Sequence, residues 1–189
     1  MLAVETEAVL VARAQKGDRG AYGELVQRYQ SGVVNVVYHM CSDAQLAQDA
    51  AQEAFIQAWL HLPSYRPQSP LRNWLYRIAI NTALDAIRRQ KAVQPEEIES
   101  LEILDPKDNP EGLLVQKELA RQVQSAILSL PDACRVVLVL REFEQLSYQD
   151  IAATLDIPIG TVMSRLNYAR ERLRLLLRQN AGQSEVKHG

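Results

Sequence analysis

Polar side chains suited to binding a polyanion recur at helical spacing near the end of the chain. The residues that point away from an apolar stripe carry hydroxyl, guanidinium and phenol groups. They are Thr161, Ser164, Arg165, Tyr168 and Arg172. Such groups bind phosphates and the edges of bases. From residue 161 to 178 five arginines stand against one acid, a local net charge of +4. The pattern predicts a cationic helix face that contacts nucleic acid.

A second basic segment runs from Tyr65 to Lys91. Six basic residues there stand against Asp85 alone, and aromatic residues are interleaved with them. Basic groups neutralise phosphates, and flat side chains can hold an unstacked base. We expect the loop with Tyr65, Arg66 and Gln68 to be best placed for contact, because loops expose what a packed helix buries. For Trp74 and Tyr76 the alternative is a place in the core.

The helix before that loop is acidic rather than basic. Its charged and apolar residues share one face, on which lie Asp49, Gln52, Glu53, Ile56 and Leu60. A mixed acidic and apolar face suits a protein partner, although a half-buried helix with a solvated edge is the alternative. Acid–base catalysis is disfavoured, because the three histidines are dispersed and no metal-binding cluster accompanies the carboxylates. We therefore expect no enzyme activity, metal or cofactor.

The elements that must position these residues are predicted to be helices. Apolar residues recur every three or four positions, and no segment alternates as a strand would. The sequence predicts an all-α fold of two small helical domains, residues 1–91 and 113–178, with a flexible acidic linker over 92–112 and a disordered tail over 179–189. In the second domain, a capping box at Ser147 and Asp150 opens a short helix, and Ile157 and Pro158 form a tight turn. This is a helix-turn-helix over 147–172, with a helical hairpin of solvated polar face as the alternative.

Composition limits the class of protein further. The net charge of −2 argues, taken alone, against a nucleic-acid partner. Cys41 and Cys134 lack ligand spacing and are expected to be reduced thiols. The first ten residues carry two acids and no Lys or Arg, unlike a signal peptide, and no apolar run approaches the length that spans a bilayer. We expect a cytoplasmic protein without membrane insertion.

The chain resembles bacterial RNA polymerase sigma factors of group 4, the extracytoplasmic-function (ECF) type, from about Ala21 to Leu177. A helix-turn-helix alone is weakly specific, but four matching stretches in this order are highly specific. They are AYGELVQRY, DAAQEAFIQAW, SPLRNWLYRIAINTALDAIRR, and SLPDACRVVLVL followed by LSYQDIAATLDIPIGTVMSRLNYARERL. Three positions depart from the family, which often has Lys at Met163 and Gly at Gln145 and Asp156.

The resemblance implies a role for each domain. The first would be sigma region 2, which docks on the clamp helices of the largest polymerase subunit through Asp49, Gln52, Glu53, Phe55 and Ile56. It would also recognise and melt the minus-ten element, capturing a flipped base, through Tyr65, Arg66, Arg72, Trp74, Arg77, Asn81, Arg88 and Arg89. The second would be region 4, which sits on the flap of the second-largest subunit. Its helix-turn-helix would read the minus-35 element of promoter DNA through Ser147, Thr161, Ser164, Arg165, Tyr168 and Arg172.

The resemblance also implies regulation and leaves rivals to be tested. An anti-sigma factor would cover these surfaces. The acidic linker would thread the polymerase active-site channel, where its charge could imitate RNA, or else be a plain spacer. One rival is a stand-alone helix-turn-helix regulator with a helical sensor domain. The other is a metal-dependent nuclease, which the dispersed histidines disfavour.

Overall fold

The computed structural model describes the backbone of residues 5–93 and 110–186. Within these residues the chain forms eight α-helices, one 3-10 turn at Leu62–Ser64 and no strand. The helices are α1 (Glu7–Gln15), α2 (Arg19–Cys41), α3 (Ala44–His61), α4 (Leu71–Val93), α5 (Pro110–Leu128), α6 (Asp132–Glu142), α7 (Tyr148–Leu155) and α8 (Ile159–Val186). The prediction of an all-α chain with two helical domains is confirmed.

The first domain is a bundle of α1 to α4 in which α3 packs between larger neighbours. The buried positions of α3 are all alanine: Ala47, Ala50, Ala51, Ala54 and Ala58. Their small side chains let the backbone of α3 approach α2 and α4, which supply the bulk of the core through residues such as Leu25, Met40 and Leu75. The opposite face of α3 is exposed.

The second domain, α5 to α8, is organised around the apolar run in α6. Val136, Val137, Leu138, Val139 and Leu140 are all buried. Ile151 of α7 and Val162, Leu166 and Ala169 of α8 are each 0% exposed. Their burial fixes α7 and α8 against α6, and hence against each other.

Short polar side chains begin three of the helices, one of them at Ser147 as the sequence predicts. Asp18 accepts from the N–H groups of Gly20 and Ala21, Asp43 accepts from that of Leu46, and Ser147 accepts from that of Asp150. Each oxygen satisfies backbone donors that have no partner inside the first turn of a helix.

Three predictions about the elements need correction or lie outside the described residues, and helix α1 has no counterpart among the predicted elements. Helix α8 continues to Val186 where a disordered tail from 179 was expected, because no proline interrupts it and a single glycine costs a helix only about 1 kcal/mol. Helix α5 begins at Pro110, inside the predicted linker, because proline suits the first turn of a helix. The rest of the acidic linker, 94–109, lies outside the described residues.

The two domains contact each other through hydrogen-bonded polar groups and a stacked pair of rings. The Glu144 carboxylate accepts from the Tyr76 hydroxyl and, at 2.7 Å, from Asn35 Nδ2. The rings of His39 and Phe143 stack with their centroids 3.5 Å apart. Residues of α2 and α4 thereby hold the segment that joins α6 to α7.

Candidate nucleic-acid and polymerase interfaces

The helix-turn-helix is closed by local backbone bonds. Asp156 ends α7 in the left-handed conformation (φ 54°, ψ 51°), which aspartate tolerates better than most residues. The N–H of Ile157 then donates to Ala152 O at 3.1 Å, and the Thr161 N–H donates to Pro158 O at 2.9 Å. The turn therefore forms with aspartate at a position where the family that the chain resembles often has glycine.

The outer face of α8 carries the predicted minus-35 residues. Ser164, Tyr168 and Arg172 are exposed, Tyr168 by 52%, whereas Thr161 and Arg165 are half-buried. Met163, where the family often has lysine, is 48% exposed on the same stretch. Ser147 lies apart from this face, because its hydroxyl caps α7.

Ion pairs within the domain involve part of the basic charge of α8. Arg170 lies 2.7 Å from Glu142, and Arg174 lies 2.5 Å from Glu171. Among the described residues, Arg165, Arg172 and Arg178 form no ion pair. The cations left for a polyanion are thus fewer than the sequence count suggests.

Tyr65 is buried, which corrects the expectation that the loop exposes it. The residue is only 6% exposed, its ring lies against Trp74 with centroids 5.0 Å apart, and its hydroxyl donates to Ser69 O at 2.8 Å. Burying a large aromatic ring stabilises the protein by more free energy than folding the loop over the ring costs. Arg66 and Gln68 are exposed as expected. Tyr76 is 3% exposed and Trp74 half-buried, in line with the core alternative.

The predicted minus-ten residues of α4 do not share one face. Arg77 and Arg88 are exposed, and Arg88 pairs with Asp85 at 2.9 Å. Arg72 is exposed as well, and it lies close enough to Tyr29 and Tyr76 for its charge to oppose the rise in their pKa values. Two others, Asn81 and Arg89, line a groove between α3 and α4 together with Glu53 of the predicted docking set. The structure therefore brings parts of two predicted surfaces to one groove.

The free face of α3 combines carboxylates with exposed apolar groups. Asp49 and Gln52 are exposed, Ile56 is 52% exposed and Leu60 is 62% exposed. Phe55 is half-buried against the core, so only part of its ring can reach a partner. Large exposed aliphatic side chains beside carboxylates are typical of a protein-binding surface.

Burial and spacing describe the remaining side chains that could take part in redox or metal chemistry. Burial raises the pKa of the Cys41 thiol to about 11, which keeps it protonated at neutral pH. Within the described chain, no three His, Cys, Asp or Glu side chains come together as a metal site. None of the helices in 5–93 and 110–186 has the length and apolar content needed to cross a bilayer.

Sequence reasoning missed two side chains that organise the molecule. Arg135 is 5% exposed, and its guanidinium donates to four backbone carbonyls. Its signal was a lone charge inside the apolar run ACRVVLVL. Gln15, at the end of α1, donates to two carbonyls about 50 residues away along the chain. Nothing in the sequence around Gln15 indicates that contact.

Comparison with known proteins identifies both domains. The family model described as Sigma-70 region 2 matches residues 25–93, and the one described as Sigma-70, region 4 matches residues 120–173. The RNA polymerase sigma-H factor of Pseudomonas aeruginosa is 42% identical over 180 residues, which cover 90% of this chain and 93% of that protein. The ECF RNA polymerase sigma-E factor of Escherichia coli is 42% identical over 175 residues, which cover 88% and 91%.

Solved structures resemble the whole fold. CnrH in complex with the cytosolic domain of CnrY matches with a TM-score of 0.71 and 27% identity, over 93% of this chain and 99% of that one. The sigma factor RpoE of Bartonella quintana, in complex with the anti-sigma factor NepR, matches with a TM-score of 0.68 and 24% identity over 83% and 96%. The second similarity is one of fold alone.

Proposed function

Because the chain belongs to the extracytoplasmic-function group of the sigma-70 family, we propose that its two domains divide promoter recognition between them. It is an RNA polymerase sigma factor, and proteins of this family direct transcription initiation by binding rather than by catalysis. The first domain would supply region 2 and the second region 4. The observation that carries this division is the free polar face of α8, presented by a rigid turn at Asp156.

We assign core-polymerase docking to the free face of α3. Asp49, Gln52, Glu53 and Ile56 would contact the clamp helices of the largest subunit, with Phe55 contributing the edge of its ring. Carboxylates steer a basic partner, and the exposed aliphatic groups supply the contact area that is removed from water. Region 4 would sit on the flap of the second-largest subunit.

Minus-ten binding is assigned to the exposed basic groups around the loop and α4. The DNA backbone would be contacted by five arginines: Arg66, Arg72, Arg77, Arg88 and Arg89. Asn81 would contact a base or sugar edge, and the exposed part of Trp74 would stack on an unstacked base. Because its ring is buried, Tyr65 would support the shape of the loop from the core side.

Minus-35 reading is assigned to the outer face of α8 in the major groove. Arg165 and Arg172 carry cations without an ion pair among the described residues, and Thr161, Ser164 and Tyr168 add hydroxyl groups. Ser147 lies at the N-terminus of α7, where its backbone can approach a phosphate.

The two domains must separate to engage both promoter elements. The minus-ten and minus-35 elements are named for their positions, which lie about 25 base pairs apart, or about 85 Å of duplex at roughly 3.4 Å per base pair. A compact chain of this length has a radius of gyration of about 16 Å and is therefore only about 40 Å across. The contacts of Glu144 with Tyr76 and Asn35 would break in the holoenzyme.

Transcription from purified components tests the proposal. Core enzyme plus this chain is expected to give promoter-dependent transcripts from genomic fragments of its source, and the mapped start sites should share two upstream elements. Glu53→Lys should lower holoenzyme assembly at least tenfold, whereas Glu24→Lys, at an exposed position of α2, should not. Absence of any promoter-dependent transcript would overturn the proposal.

A stand-alone helix-turn-helix regulator would behave differently. It would bind its operator tightly without polymerase, and Glu53→Lys would leave that binding unchanged. We further propose that the protein acts in the cytoplasm under an anti-sigma factor, because two structurally similar proteins were each solved with a bound partner: CnrH with the cytosolic domain of CnrY, and RpoE with the anti-sigma factor NepR. Co-purification of a partner that blocks holoenzyme assembly would support this regulation.

A further inference from the structure

The segment 62–70, which joins α3 to α4, is held from outside by one side chain of α1. Nε2 of Gln15 donates to Leu62 O at 3.1 Å and to Tyr65 O at 2.9 Å. Both acceptors are carbonyl oxygens, so only the amino end of the side-chain amide can serve them. The two bonds use both N–H groups of that amide.

These two carbonyls bracket the 3-10 turn at the start of the segment. The turn is also closed from within, because the Tyr65 N–H donates to Leu62 O at 3.0 Å. The Arg66 guanidinium folds back onto Tyr65 O and Pro63 O, each at 3.1 Å. Tyr65 O therefore accepts from both side chains, and Gln15 fixes to the bundle the carbonyl that orients the exposed Arg66.

Gln15 is itself held in place by its own helix. Leu10 and Ala14 of α1 are buried in the core, and α1 ends at Gln15 in a tight turn in which Gly17 has φ 92°. Arg13 and Asp18 pair across that turn at 2.7 Å. The amide is consequently anchored on a rigid element rather than on a mobile one.

We infer that Gln15 is a positioning residue, which holds segment 62–70 in the shape that captures minus-ten DNA. The inference rests on the proposed function, and it gives α1 a role although the Sigma-70 region 2 match begins only at residue 25. A segment fixed before DNA arrives does not lose conformational entropy on binding. Without the two bonds, the segment would have to be ordered by the DNA itself.

Hydrogen exchange tests the structural half of the inference. Gln15→Glu keeps the size of the side chain and removes both donors, and Gln15→Met removes them without adding charge. Both should accelerate exchange at the Tyr65 and Gln68 amides about tenfold, because these amides are bonded within the segment. Gln15→Lys should preserve the protection, since an ammonium group can donate to both carbonyls. Gln27→Glu, at an exposed position of α2, is the charge-matched control.

DNA binding by the holoenzyme tests the functional half. The probe is each single strand of the minus-ten segment from a promoter mapped in the transcription assay, labelled with fluorescein. Gln15→Glu and Gln15→Met should weaken binding of the captured strand about five- to tenfold at unchanged holoenzyme assembly, and Gln15→Lys should restore it.

The outcomes separate the inference from its premise. Unchanged exchange in Gln15→Glu and Gln15→Met overturns the inference, and so does faster exchange with unchanged strand binding. Equal losses in the Lys, Glu and Met variants would also overturn it, because the effect would then come from packing and not from hydrogen-bond donation. If the wild-type holoenzyme binds neither strand, the proposed function fails, while the exchange data still show whether Gln15 orders the segment.

Discussion

Replacing Arg135 with methionine should destabilise the second domain severely. The guanidinium donates to Ile127 O (3.2 Å), Leu128 O (2.5 Å) and Leu130 O (2.9 Å), and across the domain boundary to Met40 O (2.9 Å). Ile127, Leu128 and Met40 lie in the last turns of α5 and α2, where carbonyls lack helical partners and the helix dipole favours a cation. One side chain therefore closes two helix ends.

The size of the effect follows from these bonds. Each hydrogen bond to a charged group contributes about 1.5–3 kcal/mol, and Ile127 O retains the Leu130 N–H at 3.1 Å, so three bonds dominate. Methionine recovers about 1.5–3 kcal/mol by filling the site with apolar atoms, and removing the buried charge relieves its desolvation. We expect Arg135→Met to lower the free energy of unfolding by about 2–5 kcal/mol. Arg135→Lys, which keeps the charge but not the fork, should cost less.

Two spectroscopic signals distinguish the domains in a urea titration. Both tryptophans, Trp59 and Trp74, lie in the first domain, so their fluorescence reports that domain, while circular dichroism at 222 nm reports both. Arg135→Met should shift the dichroism midpoint strongly and the fluorescence midpoint much less. Arg121→Met on the exposed face of α5 is the control. An Arg135→Met variant as stable as the wild type would refute the reasoning, because the desolvation of the guanidinium would then outweigh its hydrogen bonds.

Three further perturbations probe the cap, the domain contact and the recognition helix. Ser147→Ala should lower the stability of the second domain by about 0.5–2 kcal/mol in the same titration, and Ser147→Asp should recover most of it, because either oxygen can accept the Asp150 N–H. Burial lowers the pKa of His39, with smaller opposing effects from its hydrogen bond with Gln124 and from the charge of Glu144, so the unfolded chain binds the proton more readily. Stability should therefore fall as the pH drops through about 6.5, the ordinary value that applies to the unfolded chain, and on towards the lowered pKa of the folded state, and a His39→Gln variant should show a flatter profile over that range. If Arg165 reads a base edge, Arg165→Ala should weaken binding to a minus-35 duplex by about 1–3 kcal/mol in a fluorescence-anisotropy titration. Arg174→Ala should weaken it less, because Glu171 already pairs with that arginine. An equal loss on all duplexes would make Arg165 a phosphate contact.

Local chemistry made much of the fold predictable from the sequence. Asp43 and Ser147 cap helices through bonds to N–H groups three residues ahead, so the residues that form the bond stand together in the sequence. The left-handed turn at Asp156 depends on the backbone of that one residue. Helix type and approximate position could therefore be predicted for α2, α3, α4, α6 and α7 without knowledge of tertiary contacts.

What the sequence did not reveal depends on distant partners. Tyr65 was expected on the surface because it lies in a loop, but Trp74 and Ser69 O give its ring and hydroxyl a buried site. Glu144 meets Asn35, a residue 109 positions earlier, and the length of the intervening chain indicates nothing about that contact. Pairings of this kind are set by how whole helices pack, so a single sequence without structure could not predict them.

Charge shows how structure changes a count taken from the sequence. The net charge of −2 says little about nucleic acid, because basic and acidic segments cancel along the chain. The local +4 of α8 overstates the charge available to DNA in turn. Arg170 and Arg174 face carboxylates of their own domain, and only Arg165, Arg172 and Arg178 form no ion pair among the described residues. Arg170 thus links α8 to α6, Arg174 is paired within α8 itself, and the remaining cations, with the hydroxyl groups between them, form the face that can meet the duplex. Recognition by this helix therefore depends on where its few unpaired cations lie more than on how many it carries.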